Sequence, residues 1–327
     1  MKALALLLLM LPAQAAVDGV VINSTTGKPQ AGVVVSLVQP SQSGMQSLAN
    51  AATDASGKFR IDKVTEGMLL LQTTFQGVPY TKVLQPGAPT TGVQIEVFNA
   101  TASPGSTSIS QHIVFIQPAS DQLSINEVYF LKNDSKQTYS DAANGALQFF
   151  VPAARAEASS VRVTISAPGG MPVQRPAEAT KQAGVFKVNF PVKPGETEFN
   201  VAYSMPAGDS FATKNIQKVA DTRIVVPRGV TLTGDDVKAM GADPSGKVNI
   251  YTTTAPSYKV TIGGAAETTS TQGASGGEED TGQPQIQEVR PRVYEQLPVV
   301  IALASGILLL GFIVLYRSGG AKGKSQK

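Results

Sequence analysis

The sequence predicts an all-β protein built from β-sandwich domains in tandem, followed by one C-terminal transmembrane helix. Short segments rich in β-branched and aromatic residues alternate apolar with polar positions, and turn residues separate them, which is typical of sandwich strands. No segment before Leu297 sustains an apolar helical stripe of ordinary length. An uncharged apolar run of about twenty residues near the C terminus is long enough to cross a bilayer, and it predicts the helix.

The first element, residues 1–15, is predicted to be a secretory signal peptide. Lys2 is followed by the apolar run "ALALLLLMLP" and by small residues, with Ala13 and Ala15 placed for cleavage after Ala15. The apolar run is too short to span a bilayer. We therefore expect the mature chain to begin outside the cytoplasm.

Residues 17–100 predict the first sandwich, with strands such as "GVVVSLV" from Gly32 and "VQIEVF" from Val93. The loop "TDASGKFRI" (Thr53–Ile61) has a near copy in "ADPSGKVNI" (Ala242–Ile250). A calcium loop needs about six or more oxygen ligands, whereas only Asp54 and Ser56 converge in the first loop. We therefore interpret it as a bend that enters its second strand in the manner of a hairpin loop.

The same stretch carries a family resemblance, in "DGVV" from Asp18, "TGKPQAGVVVSL" from Thr26, "TDASGKFRI", and Gly67 before "MLLLQTTF". By these four pieces, residues 17–100 resemble the carboxypeptidase regulatory-like family, a transthyretin-type β-sandwich. The resemblance implies a fold and an accessory role. It implies no activity, because the peptidases that carry this domain have a separate zinc domain that needs two histidines, and this chain has one histidine.

Residues 103–264 predict a second β-rich region, either one further Ig-like sandwich or two small domains. In "SVRVTIS", Val161, Val163 and Ile165 are expected to face one side. In "ETEFNVAYS", Phe199, Val201 and Tyr203 are expected to form an inner face. The stretch from Val185 to Met205 predicts a long hairpin that turns at Pro194 and Gly195, with an exposed edge suited to pairing with another chain.

The last three elements are a flexible linker at 265–296, the transmembrane helix at 297–316 and a basic tail at 317–327. The tail contains Arg317 and three lysines with no acidic residue, and basic residues are retained on the cytoplasmic side. The topology is then single-pass, with the N-terminal domains extracytoplasmic and the tail cytoplasmic. Ala302 and Gly306 are small residues four apart, which suits self-association of the helix.

Charge and cysteine content narrow the compartment and the partners. Between Val17 and Gln296 there are 22 basic and 24 acidic residues, a formal charge of about −2, so no basic patch predicts a nucleic-acid partner. The chain has no cysteine, which suits bacterial export better than a disulfide-bonded eukaryotic ectodomain. We expect the protein in the bacterial inner membrane, with its domains in the periplasm.

Two features invite a functional interpretation. His112 has neither a serine or cysteine motif nor a second histidine beside it, so a strand histidine with a structural hydrogen bond is expected. "SGGAKGKS" (Ser318–Ser325) nearly matches a phosphate-binding loop, but Ser318 stands where the first glycine belongs. The sequence predicts no catalytic residue, no cofactor site and no metal site.

The expected function is that of a non-catalytic, membrane-anchored envelope protein that binds or assembles an extracytoplasmic protein partner. The alternative is an accessory or carbohydrate-binding subunit of an envelope hydrolase or transporter. A sugar site needs a planar aromatic platform, and tryptophan is absent while Tyr80, Tyr129, Tyr139 and Tyr203 are scattered along the chain. This favours the protein-binding interpretation, and the sequence does not name the partner.

Overall fold

The computed structural model describes residues 16–42, 44–63, 65–152 and 160–265, and across them it confirms the all-β prediction. These residues form one compact unit. In the first part of the chain the strands are β1 (Val17–Asn23), β2 (Lys28–Pro29), β3 (Val34–Ser41), β4 (Gly44–Ala52), β5 (Lys58–Ile61), β6 (Leu69–Phe75), β7 (Val78–Leu84), β8 (Val93–Val97) and β9 (Ala100–Thr101).

The second part of the chain contributes the remaining strands. They are β10 (Thr107–Pro118), β11 (Gln122–Asn133), β12 (Thr138–Tyr139), β13 (Leu147–Phe150), β14 (Arg162–Ser166), β15 (Val173–Pro176), β16 (Glu178–Ala179), β17 (Val185–Val188), β18 (Gly195–Pro206), β19 (Ser210–Lys214), β20 (Thr222–Pro227), β21 (Val230–Thr233), β22 (Lys238–Ala242), β23 (Val248–Thr253) and β24 (Ser257–Gly264).

Strands β1 to β8 form a β-sandwich, which we call the N-terminal sandwich. One sheet has the order β2-β1-β5, with β8 also paired to β1, and the other has the order β4-β3-β6-β7. Apolar residues from both sheets are buried between them, among them Val21, Val35, Leu71 and Ile95. The alternation of buried and exposed positions in β5 and β8 places one apolar face of each strand in this core.

Gly19 explains why β1 can accept β8 as a parallel neighbour. A Cβ at this position would lie 1.9 Å from the carbonyl oxygen of Val93, the residue paired with Gly19 across the two strands. No side chain fits at that distance. The glycine of "DGVV" is therefore a point of close backbone approach, a common role of glycine inside a strand.

The second part of the chain forms a larger sandwich around a single core. Its main layer, the large sheet, has eight strands in the order β15-β14-β18-β11-β10-β20-β23-β22. Two three-stranded sheets, β13-β17-β16 and β19-β24-β21, contribute the apolar residues that pack with those of the large sheet. The large sheet draws its strands from residues 162 to 206 as well as from 107 to 133 and 222 to 253, so both halves of this region share one sheet.

The two predicted inner faces are confirmed. This core buries the predicted residues of β14 and its flank, Val161, Val163 and Ile165, and those of β18, Phe199, Val201 and Tyr203.

The predicted hairpin from Val185 to Met205 is wrong. Strand β17 pairs with β13 and β16, whereas β18 lies in the middle of the large sheet between β11 and β14. The residues between β17 and β18 therefore cross from one sheet to another. Pro194 and Gly195 mark that crossing, and the exposed edge expected at β18 does not exist.

The N-terminal sandwich is joined to the larger one by specific contacts. Strand β9 pairs in parallel with β12. The hydroxyl of Tyr80 lies 3.0 Å from that of Thr138, and the hydroxyl of Thr25 donates to the carbonyl of Lys136 at 2.5 Å. These contacts fix the connection between the two sandwiches at one end of the N-terminal sandwich.

Several predicted segments lie outside the described residues. They are the signal peptide (1–15), residues 266–296 of the linker, the transmembrane helix (297–316) with Ala302 and Gly306, and the tail (317–327) with "SGGAKGKS". Within the residues that are described, no helix has the length and apolar character required to cross a membrane.

Candidate functional site

The loop at Asp54 is a tight turn held by that carboxylate. Its Oδ1 accepts hydrogen bonds from the backbone N–H and hydroxyl of Ser56 and from the backbone N–H of Lys58, each at 2.8 Å. These bonds lower the pKa of Asp54, with the bond from Lys58 contributing most. The turn connects β4 of one sheet to β5 of the other, so it is a bend between sheets and not a hairpin.

Gly57 closes this turn, and Gly57→Val is expected to destabilise the protein by roughly 1–3 kcal/mol. Its φ is +71°, and an added Cβ would lie 2.8 Å from both the Pro29 Cβ and the Val21 carbonyl oxygen. Gly27 has the same φ but open space around it. Urea unfolding should show a larger loss for Gly57→Val than for Gly27→Val, and equal losses would contradict the steric argument.

The near copy of the loop is built in the same way around Asp243. Its carboxylate accepts from the Ser245 hydroxyl at 2.5 Å and from the backbone N–H groups of Ser245, Lys247 and Val248. Here the flanking strands β22 and β23 do pair with each other, so this copy is a hairpin turn. The shared residues thus encode the turn geometry, whichever strands it joins.

These hydrogen bonds make the second turn sensitive to acid. They lower the pKa of Asp243 from 3.8 to about 2, with the Ser245 hydroxyl as the largest cause. The folded pKa is the lower one, so this contribution to stability is present above pH 3.8 and is lost as the pH falls through about 2. We expect the free energy of unfolding of Asp243→Asn to fall less steeply than that of the wild type as the pH is lowered over this range. If the pH dependence of the variant equals that of the wild type, the hydrogen bonds of this turn do not make it sensitive to acid.

His112 lies on β10 with its side chain in the core, and both ring nitrogens have partners. Nδ1 lies 3.1 Å from the Thr222 hydroxyl on β20, and Nε2 lies 3.1 Å from Glu127 Oε2 on β11. The ring stacks on Tyr129, with centroids 4.0 Å apart. Only 2% of His112 is exposed. The histidine is thus enclosed by three strands of the large sheet, out of reach of a substrate in solution.

Glu127 is the centre of this buried cluster. Besides His112, it accepts hydrogen bonds from the hydroxyl of Tyr203, at 2.6 Å, and from that of Tyr129. Burial is the main cause that raises the pKa of both tyrosines well above the usual value, and the charge of Glu127 adds to it. Both hydroxyls therefore stay protonated and act as donors. A carboxylate with several donors is the arrangement that makes burial of this charge tolerable.

Sequence analysis singled out His112 but missed Glu127. The signal was present in "INEVYFL", because Ile125, Glu127, Tyr129 and Leu131 share one face of the strand by alternation. A glutamate in the inward register of an otherwise apolar face predicts a buried partner. Tyr203 was hidden as a partner, because it comes from β18, whose pairing with β11 has no local signal, whereas His112 lies on the adjacent strand of the β10–β11 hairpin.

Neither a sugar platform nor a metal site emerges from the predicted residues. Tyr80, Tyr129, Tyr139 and Tyr203 are all buried, so none of the four offers a ring face for a sugar to stack on. In the part of the chain that the structure describes, no group of three acidic or histidine side chains is placed to hold a metal ion.

Two surface features remain as candidate binding sites. One is the edge strand β4, which pairs with β3 alone among the described strands. The other is a cleft of about 630 Å³ between β7 and β8 of the N-terminal sandwich and the loops around Gly169 and Lys193 of the larger one. The sequence did not predict β4 as a binding edge, and it selected the stretch that contains Lys193 only as the edge of a hairpin.

Comparisons with known proteins assign no family to the chain. No protein-family model matches the sequence. No curated protein matches it either.

Solved structures that resemble the chain do so weakly. The M1 zinc metallopeptidase from Deinococcus radiodurans is 9% identical over 47% of this chain, with a TM-score of 0.25, and the chain spans 42% of its length. BcpA, the major pilin subunit of Bacillus cereus, is 14% identical over 77% of this chain and 84% of its own, with a TM-score of 0.21. The shaft pilin SpaA from Lactobacillus rhamnosus GG, as a double mutant, is 10% identical over 66% of this chain and 90% of its own, with a TM-score of 0.19. Likenesses of this size carry no functional argument.

Proposed function

We propose that this protein is a non-catalytic, membrane-anchored envelope protein that binds an extracytoplasmic partner polypeptide along a strand edge. In this proposal a transthyretin-type sandwich and an Ig-like sandwich stand in tandem outside the inner membrane. The helix at 297–316 anchors them, and the linker at 265–296 holds them away from the bilayer. The observation that carries the proposal is the edge strand β4.

Strand β4 has the features of a template for strand addition. It is nine residues long, "GMQSLANAA", with no charged residue and no proline. It is the longest sheet edge among the described residues. Met45, Ser47 and Asn50 are exposed along it, Met45 to 51%. An unpaired edge of this kind offers main-chain donors and acceptors to an added strand, and its side chains supply the specificity.

Three of the other edges in the described sheets carry charge or proline within the strand, which β4 does not, although the Lys63 ammonium donates to the Leu48 carbonyl of β4 at 3.3 Å. Strand β15 is four residues long and contains Arg175 and Pro176. Strand β22 contains Lys238 and a bulge, and β7 contains Pro79 and Lys82. Charge, proline and short length are the usual defences against unwanted pairing. Strand β4 has a bulge at Leu48 but keeps four paired residues beyond it, from Ala49 to Ala52.

The topology is tested first. Protease added to spheroplasts should remove the sandwiches and spare a tag placed after Lys327, because the proposal places the sandwiches outside the membrane and the tail inside it. Sandwiches that survive in intact spheroplasts but are digested after lysis would reverse the orientation and end the proposal.

The binding edge is tested by crosslinking in the membrane from a photoreactive residue at position 50, compared with one at position 174 on β15. We expect a specific envelope protein to be captured from position 50 only. The variant Asn50→Lys places a charge on the edge and should abolish capture from a photoreactive residue at position 47. Gln174→Lys, a matched charge on an edge that already contains Arg175, should leave capture unchanged.

The opposite pattern of capture refutes the proposal that β4 is the binding edge. Capture that survives Asn50→Lys but is lost with Gln174→Lys would move the binding surface to the large sheet. If nothing is captured from either position, while the purified protein hydrolyses an envelope component, the non-catalytic proposal fails.

A further inference from the structure

The cleft between the two sandwiches contains a lysine whose charge has no counterion among the described residues. Lys193 Nζ lies over the ring of Tyr80, 4.6 Å from its centroid. None of the ion pairs between described residues, taken to 4.0 Å, involves this ammonium. Partial burial lowers the pKa of Lys193. A cation that is partly desolvated and unpaired is one that an incoming anion stabilises.

The lysine is held in place by its neighbours along the chain. Val192 exchanges two backbone hydrogen bonds with Tyr139, at 2.8 and 2.9 Å, and its carbonyl also accepts from the Asn133 side chain at 2.9 Å. Pro194 follows directly and restricts the backbone. The backbone at Lys193 is therefore held in place before any ligand arrives, so binding costs only the conformational freedom of its side chain.

The walls of the cleft suit an extended polypeptide. On one side are β7 and β8, which pair with β6 and β1 respectively and with no other described strand. The edge of β8 offers backbone donors and acceptors to a peptide, whereas β7, whose Pro79 and Lys82 discourage strand addition, contributes the Lys82 charge. The volume of about 630 Å³ falls within the range of ligand clefts, about 300–1,000 Å³.

The charges and apolar groups around the cleft define the ligand further. Lys82 on β7 is exposed at the cleft and adds a second cation, whereas the one acidic group in the lining, Glu96, accepts a hydrogen bond from Gln94 at 3.4 Å. An adjoining apolar groove is lined by Met45, Met171 and Phe190, and both methionines are 51% exposed. A ligand that fills both the cleft and the adjoining groove would carry a carboxylate next to apolar side chains.

We infer that this cleft, between β7 and β8 and beneath Lys193, is a second binding site that takes an extended acidic peptide segment, with a carboxylate on the Lys193 ammonium and apolar side chains in the adjoining groove. The site shares Met45 with the β4 edge, but Lys193, on which it depends, is not part of that edge, and Asn50 lines neither the cleft nor the groove. Its test is therefore independent of the proposed function.

The test uses two probe peptides and the full chain in lipid nanodiscs. Both probes are amidated nonapeptides of alternating threonine and valine that carry the same uncharged fluorophore on the N terminus, one with a central glutamate and the other with glutamine. Fluorescence anisotropy should show the glutamate peptide binding about tenfold more tightly, as expected for a well-placed charge pair. Lys193→Gln should remove this difference, Lys82→Gln should reduce it, and Asn50→Lys should leave it intact.

The control is Lys132→Gln, since Lys132 is an exposed lysine already paired with Asp134 at 3.1 Å. It should bind like the wild type, and circular dichroism should show that each variant is folded. Equal binding of the two peptides to the wild-type protein overturns the inference, as does a preference that Lys193→Gln and Lys82→Gln both retain. An oligogalacturonate that binds at Lys193 where neither peptide binds also overturns it, in favour of an acidic polysaccharide.

Discussion

Glu127→Gln is expected to lower the free energy of unfolding by roughly 3–5 kcal/mol, the usual cost of removing one partner from a buried charged cluster. The carboxylate accepts from His112, Tyr129 and Tyr203 inside the large sheet, and only 1% of the residue is exposed. A glutamine of the same shape presents one acceptor oxygen and two new donors. Donors then face donors in a space that excludes water, and each unsatisfied group costs free energy.

The measurement is urea unfolding of the detergent-solubilised full chain, followed by far-UV circular dichroism. The matched control is Glu198→Gln, on the neighbouring strand β18 and on the opposite face of the sheet from Tyr203. We expect the control to change stability by less than about 0.5 kcal/mol, as surface substitutions do. If both variants unfold at the same urea concentration as the wild type, the cluster contributes nothing to stability.

Asn200→Pro is expected to destabilise the large sheet by about 3 kcal/mol or more, and the purified variant should lack the cooperative unfolding transition of the larger sandwich. Asn200 pairs with Val128 on one side and with Thr164 on the other. Proline removes the backbone donor there, and its ring does not fit between two neighbouring strands. At an exposed edge a proline would test the binding of a partner. Because β18 is a central strand, Asn200→Pro tests folding instead.

The comparison for this prediction is proline on the edge strand β4. At successive positions of an edge strand the N–H groups point alternately to the neighbouring strand and to solvent. Of Asn50→Pro and Ala51→Pro, one should therefore be destabilising and the other tolerated. An Asn200→Pro variant that melts like the wild type would contradict the central position of β18.

Much of the fold was predictable from the sequence because strand alternation is a local signal. The buried faces of β14 and β18 follow from the period of two, and Asp54 with Gly57 encodes a turn within five residues. Strand pairing was not predictable in the same way. Strand β18 finds its partners 60 or more residues back in β11 and about 35 residues back in β14, distances at which turn chemistry carries no information.

The wrong prediction of a hairpin from Val185 to Met205 has the same physical origin. Pro194 and Gly195 terminate a strand and reverse the chain, but a reversal leads equally well to the adjacent strand of one sheet or to the opposite sheet of a sandwich. Which of the two sheets the chain joins depends on where the apolar face of the next strand can be buried. Lys193 was likewise invisible as a site residue, because its importance rests on Tyr80, which lies in the other sandwich.

The parallel pairing of β10 with β20 sets the order in which the chain can fold as it is synthesised. His112 and its partner Thr222 are 110 residues apart. At a synthesis rate of about 5–20 residues per second, roughly 5–20 s pass between the emergence of the two strands. The N-terminal sandwich needs only residues up to β8, so it is complete before β10 has been made. During that interval the β11 flank of the β10–β11 hairpin stays open until β18 emerges, and the β10 flank stays open until β20 follows.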